Sequence, residues 1–177
     1  MAMFGLNDGQ RAQRKTLITV VEWGGKWDET GTTYTGGTRE LLGARTEDSS
    51  IELNADIATS TDILGITYTD VNKTEPQQTF DPFYVMGGSA LAEYLLDAML
   101  KNDINAYNNT FNVYVIAGFL GEAGKLQAYR HRDCSVIPTS LGGDSYNSMP
   151  IEVHYSNNIT EGTVDKLAAD FAFTPAA

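Results

Sequence analysis

Hydrophobic and polar residues alternate along several segments, and this pattern predicts β-strands. Segment 16–23 is rich in β-branched residues, which favour strands. Segments 111–117, 126–137 and 149–155 also combine apolar and polar positions in strand-like runs. Segment 24–37 is rich in glycine and threonine and too polar to hold a core, so we interpret it as a loop or loose hairpin. The chain is therefore expected to be mainly β.

One segment has helical periodicity instead. From 89 to 101, apolar residues recur at spacings of three and four, with charged residues on the opposite face. Ser89 is a suitable N-cap because its hydroxyl can accept a hydrogen bond from the first turn. Asn102 and Asp103 are suited to end the helix. We expect this to be the only long helix.

The segment between Thr46 and Glu75 carries a concentration of negative charge. Apolar and polar residues alternate over 51–57, which predicts a strand with one apolar and one acidic face, and 59–71 is interpreted as its return strand. The whole segment contains seven acidic residues against a single lysine, Lys73. The sequence thus predicts an acidic hairpin.

Turn signals divide the rest of the chain. Glycines at 118, 121 and 124 and the segment 142–144 predict turns between strands, while 163–172 is compatible with a short strand or a helical turn. The resulting order is three strands, a helix and three strands. This order is typical of a β-sandwich or open barrel with one flanking helix.

Length and charge narrow the function classes. The 177 residues suit one domain, and the net charge of -11 argues against a protein that grips nucleic-acid phosphates. The apolar runs are shorter than the roughly 20 residues that span a bilayer. The amino-terminal residues lack the apolar core of a secretion signal, so folding in a cytoplasm is expected.

Motifs for catalysis or cofactors are weak. Segment 118–125 resembles a phosphate loop, but its glycine spacing is wrong and Leu126 replaces the required Ser or Thr. Cys134 is the single cysteine, so we expect a buried or interfacial thiol instead of a nucleophile activated by His131 or His154. The ligand spacing of a calcium loop is absent from the acidic segment. No cofactor and no metal are expected.

Three blocks of sequence resemble the major tail tube proteins of long-tailed bacteriophages, in particular those of Gram-positive hosts. The blocks cover 51–83, 87–97 and 135–155, and the run K-T-E-P-Q-Q-T-F-D-P at 73–82 is the most specific part. The resemblance extends over roughly 40 to 165. Segment 23–38 matches less well.

The resemblance implies a tail-tube fold, in which two packed β-sheets carry one flanking helix. It also implies hexameric rings that stack into a hollow tube, whose inner barrel conducts DNA into the host without binding it. An acidic bore suits this task because it repels phosphates. The implied partners are further copies of the chain and the tail-tip or initiator, tape-measure and terminator proteins. The protein would then be a virion component and not an enzyme.

The resemblance also assigns roles to residues. Residues 1–15 are expected to form an arm ahead of one domain over 16–177. Glu47 and Asp48 are assigned to the ring rim, and the strand faces across 59–61 are left open because a bulge there would exchange them. The candidate lumen residues are Glu52, Asp56, Asp62 and Asp70. The candidate contacts between subunits are Arg11, Arg14, Lys15, Lys73, Glu75, Pro76 and Phe80. The helix is expected to pack on the sheet through Leu91, Leu95, Leu96, Met99 and Leu100.

Two alternatives remain open at this stage. The first is the inner-tube protein of a contractile tail or phage-like injection system, which would share the fold and work inside a sheath. The second is a small hydrolase that uses two of Asp56, Asp62, Asp70 and Glu75 as acid and base.

Overall fold

The structure is a computed structural model that describes residues 6, 8–46 and 48–176. Within these residues the chain forms thirteen strands, two α-helices and a short 3-10 turn before the first strand. The strands are β1 (Leu17–Trp23), β2 (Lys26–Trp27), β3 (Tyr34–Thr35), β4 (Thr38–Leu41), β5 (Ile51–Glu52), β6 (Asp56–Thr61), β7 (Thr67–Lys73), β8 (Gln77–Phe80), β9 (Phe111–Glu122), β10 (Lys125–Pro138), β11 (Ile151–His154), β12 (Ile159–Val164) and β13 (Phe173–Pro175). The helices are α1 (Ala90–Lys101) and α2 (Ile104–Tyr107).

Nine strands form one antiparallel system with the order β4-β1-β9-β10-β11-β8-β5, and β12 and β13 branch from β10. One edge of β10 follows β9, while its other edge pairs first with β12 and then with β11. Between these two pairings, the β9–β10 register shifts at His131 to Cys134, and Asp133 adopts a φ of 56°. This bulge lets one long strand serve two parts of the sheet.

The larger hydrophobic core lies between the sheet and α1. It joins Val21 and Val113 from the β1–β9 side, Ile151 from β11, and Leu91 and Leu95 from α1. All five side chains have no exposed surface. Burial of this apolar surface fixes the helix against the sheet.

A second core covers the opposite face of β1, β9 and β10. Val20, Ile116 and Ala128 form its floor, and Phe171 comes from the carboxy-terminal segment. The ring of Phe171 meets the ring of Tyr114 edge to face, with 4.9 Å between centroids. The central strands are therefore buried on both faces, which explains their apolar composition.

Helix α1 begins and ends as the sequence predicts. Ser89 is the N-cap and its hydroxyl accepts a hydrogen bond from the N–H of Ala92 at 3.1 Å. Asn102 ends the helix in the left-handed conformation, with a φ of 53°. Among the expected packing residues Leu96 and Met99 are half-buried, but Leu100 is 72% exposed. The expectation that Leu100 packs on the sheet is therefore wrong within this chain.

The mainly β fold with packed antiparallel sheets and one long flanking helix is confirmed. Three local predictions are wrong. The expected return strand over 59–71 is interrupted, because 62–66 form the turn between β6 and β7. Gly118 and Gly121 lie within β9, and the turn is confined to the residues after Glu122. The expected strand over 51–57 is interrupted, because Asn54 has a φ of 44° and separates β5 from β6. Strand β4 and the short helix α2 were not predicted.

Candidate interaction surface

An exposed hairpin formed by β6 and β7 is the main candidate for an interaction surface. Its base continues the ribbon formed by β5 and β8, since Glu52 pairs with Gln77. The N–H of Glu75 then donates to the carbonyl of Leu53 at 3.0 Å, and Asp56 pairs with Lys73. The hairpin is therefore anchored at one end in the main sheet.

Beyond this base, the two strands pair only with each other among the described residues. Every residue of β6 and β7 is exposed. Both outer edges therefore present unpaired backbone N–H and C=O groups. A two-stranded hairpin of this kind has marginal stability in water, and free edges favour pairing with another chain.

One face of the hairpin is acidic. Strand alternation places Asp56 on the same side as Asp70, which lies opposite Ala58. The amide of Asn72 donates to Asp56 Oδ2 at 3.4 Å, and the hydroxyl of Tyr68 donates to Asp62 Oδ2 at 3.2 Å, so these side chains share that side. The only register shift is at Asp56 to Ile57. The question of strand faces across 59–61 is thus resolved: the pairing there is regular.

The other face is apolar at its base. Ile57 lies directly opposite Val71, and both side chains are exposed. At the tip Ile63, Leu64 and Ile66 are also exposed, and Ile63 has no contact that covers it. Exposed aliphatic residues concentrated on one small element indicate a surface that another molecule covers.

Asp62 holds the hairpin turn together. Its Oδ1 accepts hydrogen bonds from the N–H groups of Leu64 and Ile66, at 2.8 and 3.0 Å. Gly65 takes the left-handed conformation that this turn needs, with a φ of 81°. The backbone N–H of Ile66, followed by that of Leu64, lowers the pKa of Asp62. The carboxylate that was assigned only to the lumen is therefore also a turn residue.

The four candidate lumen residues do not lie on one hairpin. Asp56, Asp62 and Asp70 do, whereas Glu52 belongs to β5 in the main sheet. Glu52 is exposed and lines a cleft of about 170 Å³ together with Asp48 and Asp81. The structure thus divides the acidic segment into two surfaces. Glu47 lies outside the described residues.

The amino-terminal cations lie beside a groove. Arg14 and Lys15 line it with Leu17 and Phe80, and its volume is about 520 Å³. The guanidinium of Arg14 donates to the carbonyl oxygen of Ser49 at 2.6 Å, so this side chain is already engaged within the chain. Arg11 and Lys15 are exposed. Residues 1–5 and 7 of the expected arm lie outside the described residues.

The second set of expected contacts needs a correction. Lys73 and Glu75 are exposed and form an ion pair of 2.7 Å with each other, and Pro76 is half-buried. Phe80 is 1% exposed and belongs to the larger core. The prediction that Phe80 contacts another subunit is therefore wrong. Gln77–Phe80 is a strand of the main sheet, paired with β11.

The carboxylates proposed for a hydrolase are poorly suited to acid–base chemistry. A general acid needs a raised pKa, which burial or a like charge supplies. The pKa of Glu75 is instead lowered by its hydrogen bond and charge interaction with Lys73. The pKa of Asp62 is lowered as well. The structure gives this alternative no support.

The thiol and imidazole groups are embedded in the fold. Cys134 has no exposed surface, and burial raises the pKa of its thiol to about 11. Burial lowers the pKa of His131, whose ring packs against Tyr155 at 4.9 Å between centroids. A low-pKa nucleophile would need the opposite environment. In the described residues, no group of three or more His, Cys, Asp or Glu could hold a metal ion.

Sequence reasoning missed the apolar part of this surface. It assigned Ile57 to the apolar face of a strand without predicting that this face is exposed, and it gave no role to Ile63 and Leu64 in a turn. An Asp62-x-x-Gly65 spacing between two threonine-rich runs was the available signal of a hairpin tip. No helix in the described part of the chain is long and apolar enough to cross a bilayer.

Comparison with known proteins gives distant structural likenesses. No family profile matches the sequence, and no curated protein matches it. The chain is similar to the sheath/tube terminator of an extracellular contractile injection system, PVC, in its extended state, with a TM-score of 0.47, 13% identity, and coverage of 86% of this chain and 96% of that chain. It is also similar to a chain of the extended sheath-tube complex of that system, with a TM-score of 0.45, 13% identity, and coverage of 88% and 94%. At these values the likenesses do not decide what this chain does.

Proposed function

We propose that this protein is the structural subunit of a bacteriophage tail tube, in which hexameric rings stack around an acidic bore that conducts DNA. The β6–β7 hairpin carries this proposal. It is fully exposed, its outer edges pair with no other strand in the described part of the chain, and its two faces differ in chemistry. The resemblance of segments 51–83, 87–97 and 135–155 to tail tube proteins supports it independently.

The free edges give the hairpin a way to assemble. If hairpins of neighbouring copies pair edge to edge, their backbone groups are satisfied and a closed barrel results. Ile57 and Val71 would then lie on one side of the barrel wall. Closure turns an element of marginal stability into a continuous sheet.

The distribution of charge on the hairpin decides which of its faces would line the bore. The face that carries Asp56 and Asp70 is placed toward the bore, and the face with Ile57 and Val71 is placed toward protein. DNA phosphates are repelled by such a wall, so no position along the tube binds strongly. Glu52 and Asp48 are placed near the ring rim or bore entrance, since they lie outside the hairpin.

The remaining partners follow from the same assembly. Arg11 and Lys15 are placed against an acidic neighbour in the same or next ring. Lys73, Glu75 and Pro76 are placed at a second contact between subunits, where the Lys73–Glu75 pair is exposed. Tail-tip or initiator, tape-measure and terminator proteins would meet the ends and interior of the tube. The proposed location is the virion, after assembly in the host cytoplasm.

Negative-stain electron microscopy of the concentrated protein tests the proposal. We expect hollow rings or tubes from the wild type and none from the double variant Ile57→Ser, Val71→Ser. Ile159→Ser is the matched control, because Ile159 is an equally exposed residue outside the hairpin. Rings from the double variant at wild-type yield would contradict the role of the hairpin.

Deleting residues 2–12 tests the arm separately. We expect this truncation to weaken polymerisation, because it removes Arg11 while Arg14 and the following strand remain. Sedimentation velocity at several concentrations measures the fractions of monomer and polymer. Tubes of normal length and yield from the truncated protein would contradict a role of the arm in assembly.

A further inference from the structure

Beside the second core, opposite Tyr114, lies an arginine that has no carboxylate partner among the described residues. Arg130 lies on β10 and is 6% exposed. Its Nε is shielded from solvent and has no hydrogen-bond partner, and no hydrogen bond from its guanidinium is present in the described part of the chain. A buried guanidinium without a paired acid is costly, because its solvation is lost and not replaced.

Aromatic rings replace part of that lost solvation. The guanidinium carbon of Arg130 lies 4.8 Å from the ring centre of Trp27 and 5.0 Å from that of Phe173. The guanidinium of Arg132 stacks on the same Trp27 ring at 3.7 Å and donates to the carbonyl of Gly31. Cation–π contacts of this kind favour a positive charge but leave the in-plane N–H groups unused.

Two acidic residues near these arginines, Asp28 and Glu22, bond to other groups. Asp28 follows Trp27 in the covering loop, and it accepts hydrogen bonds from the N–H groups of Thr32 and Thr33 at 2.8 and 3.1 Å. Glu22 is occupied by Arg39, at 2.6 Å. Neither therefore pairs with Arg130. Two guanidinium groups thus share one ring in a protein whose acidic residues outnumber Lys and Arg by 23 to 12.

A cleft gives access to this cation. It has a volume of about 180 Å³ and is lined by Arg130, Arg39, Thr32, Thr33, Tyr34 and Phe173, among others. Small-molecule sites usually have about 300 Å³ or more, so this cleft suits a group of side-chain size. A carboxylate fits best, because its two oxygens match the planar N–H donors of arginine.

We infer that this cleft binds a carboxylate side chain of a second copy of the chain. The identity of the partner rests on the proposed function, whereas the carboxylate site rests on the geometry of Arg130 alone. Exposed acids are abundant on the chain, and Asp70 has no partner among the described residues. Contact between copies would supply the missing acid and exclude water from the cleft.

Trp27 provides a direct test of the site, because it stacks on both arginines. Tryptophan fluorescence of the dilute monomer is measured during titration with sodium acetate, and with sodium chloride at equal ionic strength. We expect a saturable change with acetate alone, which disappears in Arg130→Met and in Trp27→Phe. No saturable change in the wild type would overturn the carboxylate site, and this result does not depend on any variant.

Self-association tests the partner. We expect Arg130→Met to raise the concentration needed for assembly by about tenfold or more, as loss of one member of a buried charged pair does. Its thermal midpoint should not fall, since an unpaired buried charge is removed and Met keeps the packing between rings. Lys125→Met on the same strand is the charge-matched control and should assemble as the wild type.

The outcomes separate the two ideas. Acetate binding together with normal assembly of Arg130→Met would overturn the second copy as partner. Loss of thermal stability in Arg130→Met without any acetate effect in the wild type would assign Arg130 to packing alone and overturn the site. Acetate binding by a wild-type protein that never forms rings would support the site and contradict the tail-tube proposal.

Discussion

Arg39 Nε donates to Glu22 Oε1 across 2.6 Å, and the Glu22 side chain is buried. The other carboxylate oxygen accepts from the hydroxyl of Tyr114 at 2.8 Å. Arg39 also donates to the carbonyl of Phe171 at 2.8 Å. This network therefore links β1, β4 and β9 to the carboxy-terminal segment.

Replacing Glu22 by Gln is expected to lower the free energy of unfolding by about 2–3 kcal/mol, because Arg39 loses its charged partner within a partly buried site. Urea denaturation of the monomer measures the change. Glu161→Gln is the control, since Glu161 bonds Gln127 at the surface and should have little effect. Equal losses in both variants would contradict a special role for the buried network.

The start of α1 provides a second prediction. The hydroxyl of Ser89 caps the N–H of Ala92 and donates to Glu40 Oε1 at 2.5 Å. Ser89→Ala should cost about 1 kcal/mol and lower the thermal midpoint by about 2–4 °C. Circular dichroism during heating measures this shift. Ser89→Thr should recover most of it, and Ser60→Ala on the exposed hairpin should leave the midpoint unchanged.

Asp62 and Asp70 have equal charge but different roles on the hairpin. Asp62→Ala should accelerate amide exchange at Leu64 and Ile66, because their acceptor is removed, while the global unfolding midpoint stays the same. Asp70→Ala removes the same charge and should not change exchange at the turn. Hydrogen exchange followed by nuclear magnetic resonance distinguishes the two variants.

The turn should also respond to pH with a defined sign. The backbone donors lower the folded-state pKa of Asp62, so its contribution is present above the unfolded pKa, about 4. That contribution is lost as the pH falls through the lower, folded-state value. The amide signals of Leu64 and Ile66 should therefore titrate with a midpoint below that of an ordinary aspartate. A midpoint at or above it would contradict the turn geometry.

Cys134 should be inert in the folded protein. Its thiol is buried and its pKa is raised to about 11, so little thiolate exists at neutral pH. Reaction with an alkylating reagent should be slow until the chain unfolds, and its urea dependence should follow global unfolding. Rapid labelling of the native monomer, measured by mass spectrometry, would contradict this burial.

The sequence predicts those elements in which local preference and burial agree. Helix α1 has a cap, an apolar side and a stop signal, and all three lie within its own segment. Strands β1 and β10 are rich in residues that favour strands and also face the cores. The mainly β fold could therefore be predicted without knowledge of any long-range contact.

Predictions failed where the partner of a face decides its role. The alternation over 51–57 indicates an amphipathic strand, but it cannot show that Ile57 faces outward on a separate hairpin. A positive φ at Asn54 breaks that strand. An asparagine at this position does not by itself predict such a break. Phe80 was expected at a subunit contact but is buried, whereas Leu100 was expected to pack on the sheet but is exposed. The reason is the same, because burial depends on which distant strand or helix lies opposite.

The stacking of Arg132 on Trp27 joins residues more than a hundred positions apart. Segment 24–37 was expected to be a loop or loose hairpin, and β2 and β3 do pair as a hairpin. Its composition does not predict a cationic neighbour. Such a pairing becomes visible only in the folded chain, where Arg130 lies opposite Tyr114 of the second core and Arg132 stacks on Trp27. Sites that are assembled from distant segments are therefore the hardest feature to predict from sequence patterns.

The continuity of the β5–β8 ribbon with the hairpin has a mechanical meaning. Strand β8 lies between β5 and β11, and its Phe80 is fixed in the larger core. Hydrogen bonds in an antiparallel sheet run perpendicular to the strands. A pull along the hairpin therefore loads the bonds of β8 together, in shear, instead of opening them one by one. Tension on this exposed element is therefore delivered directly to a strand that is anchored in the larger core.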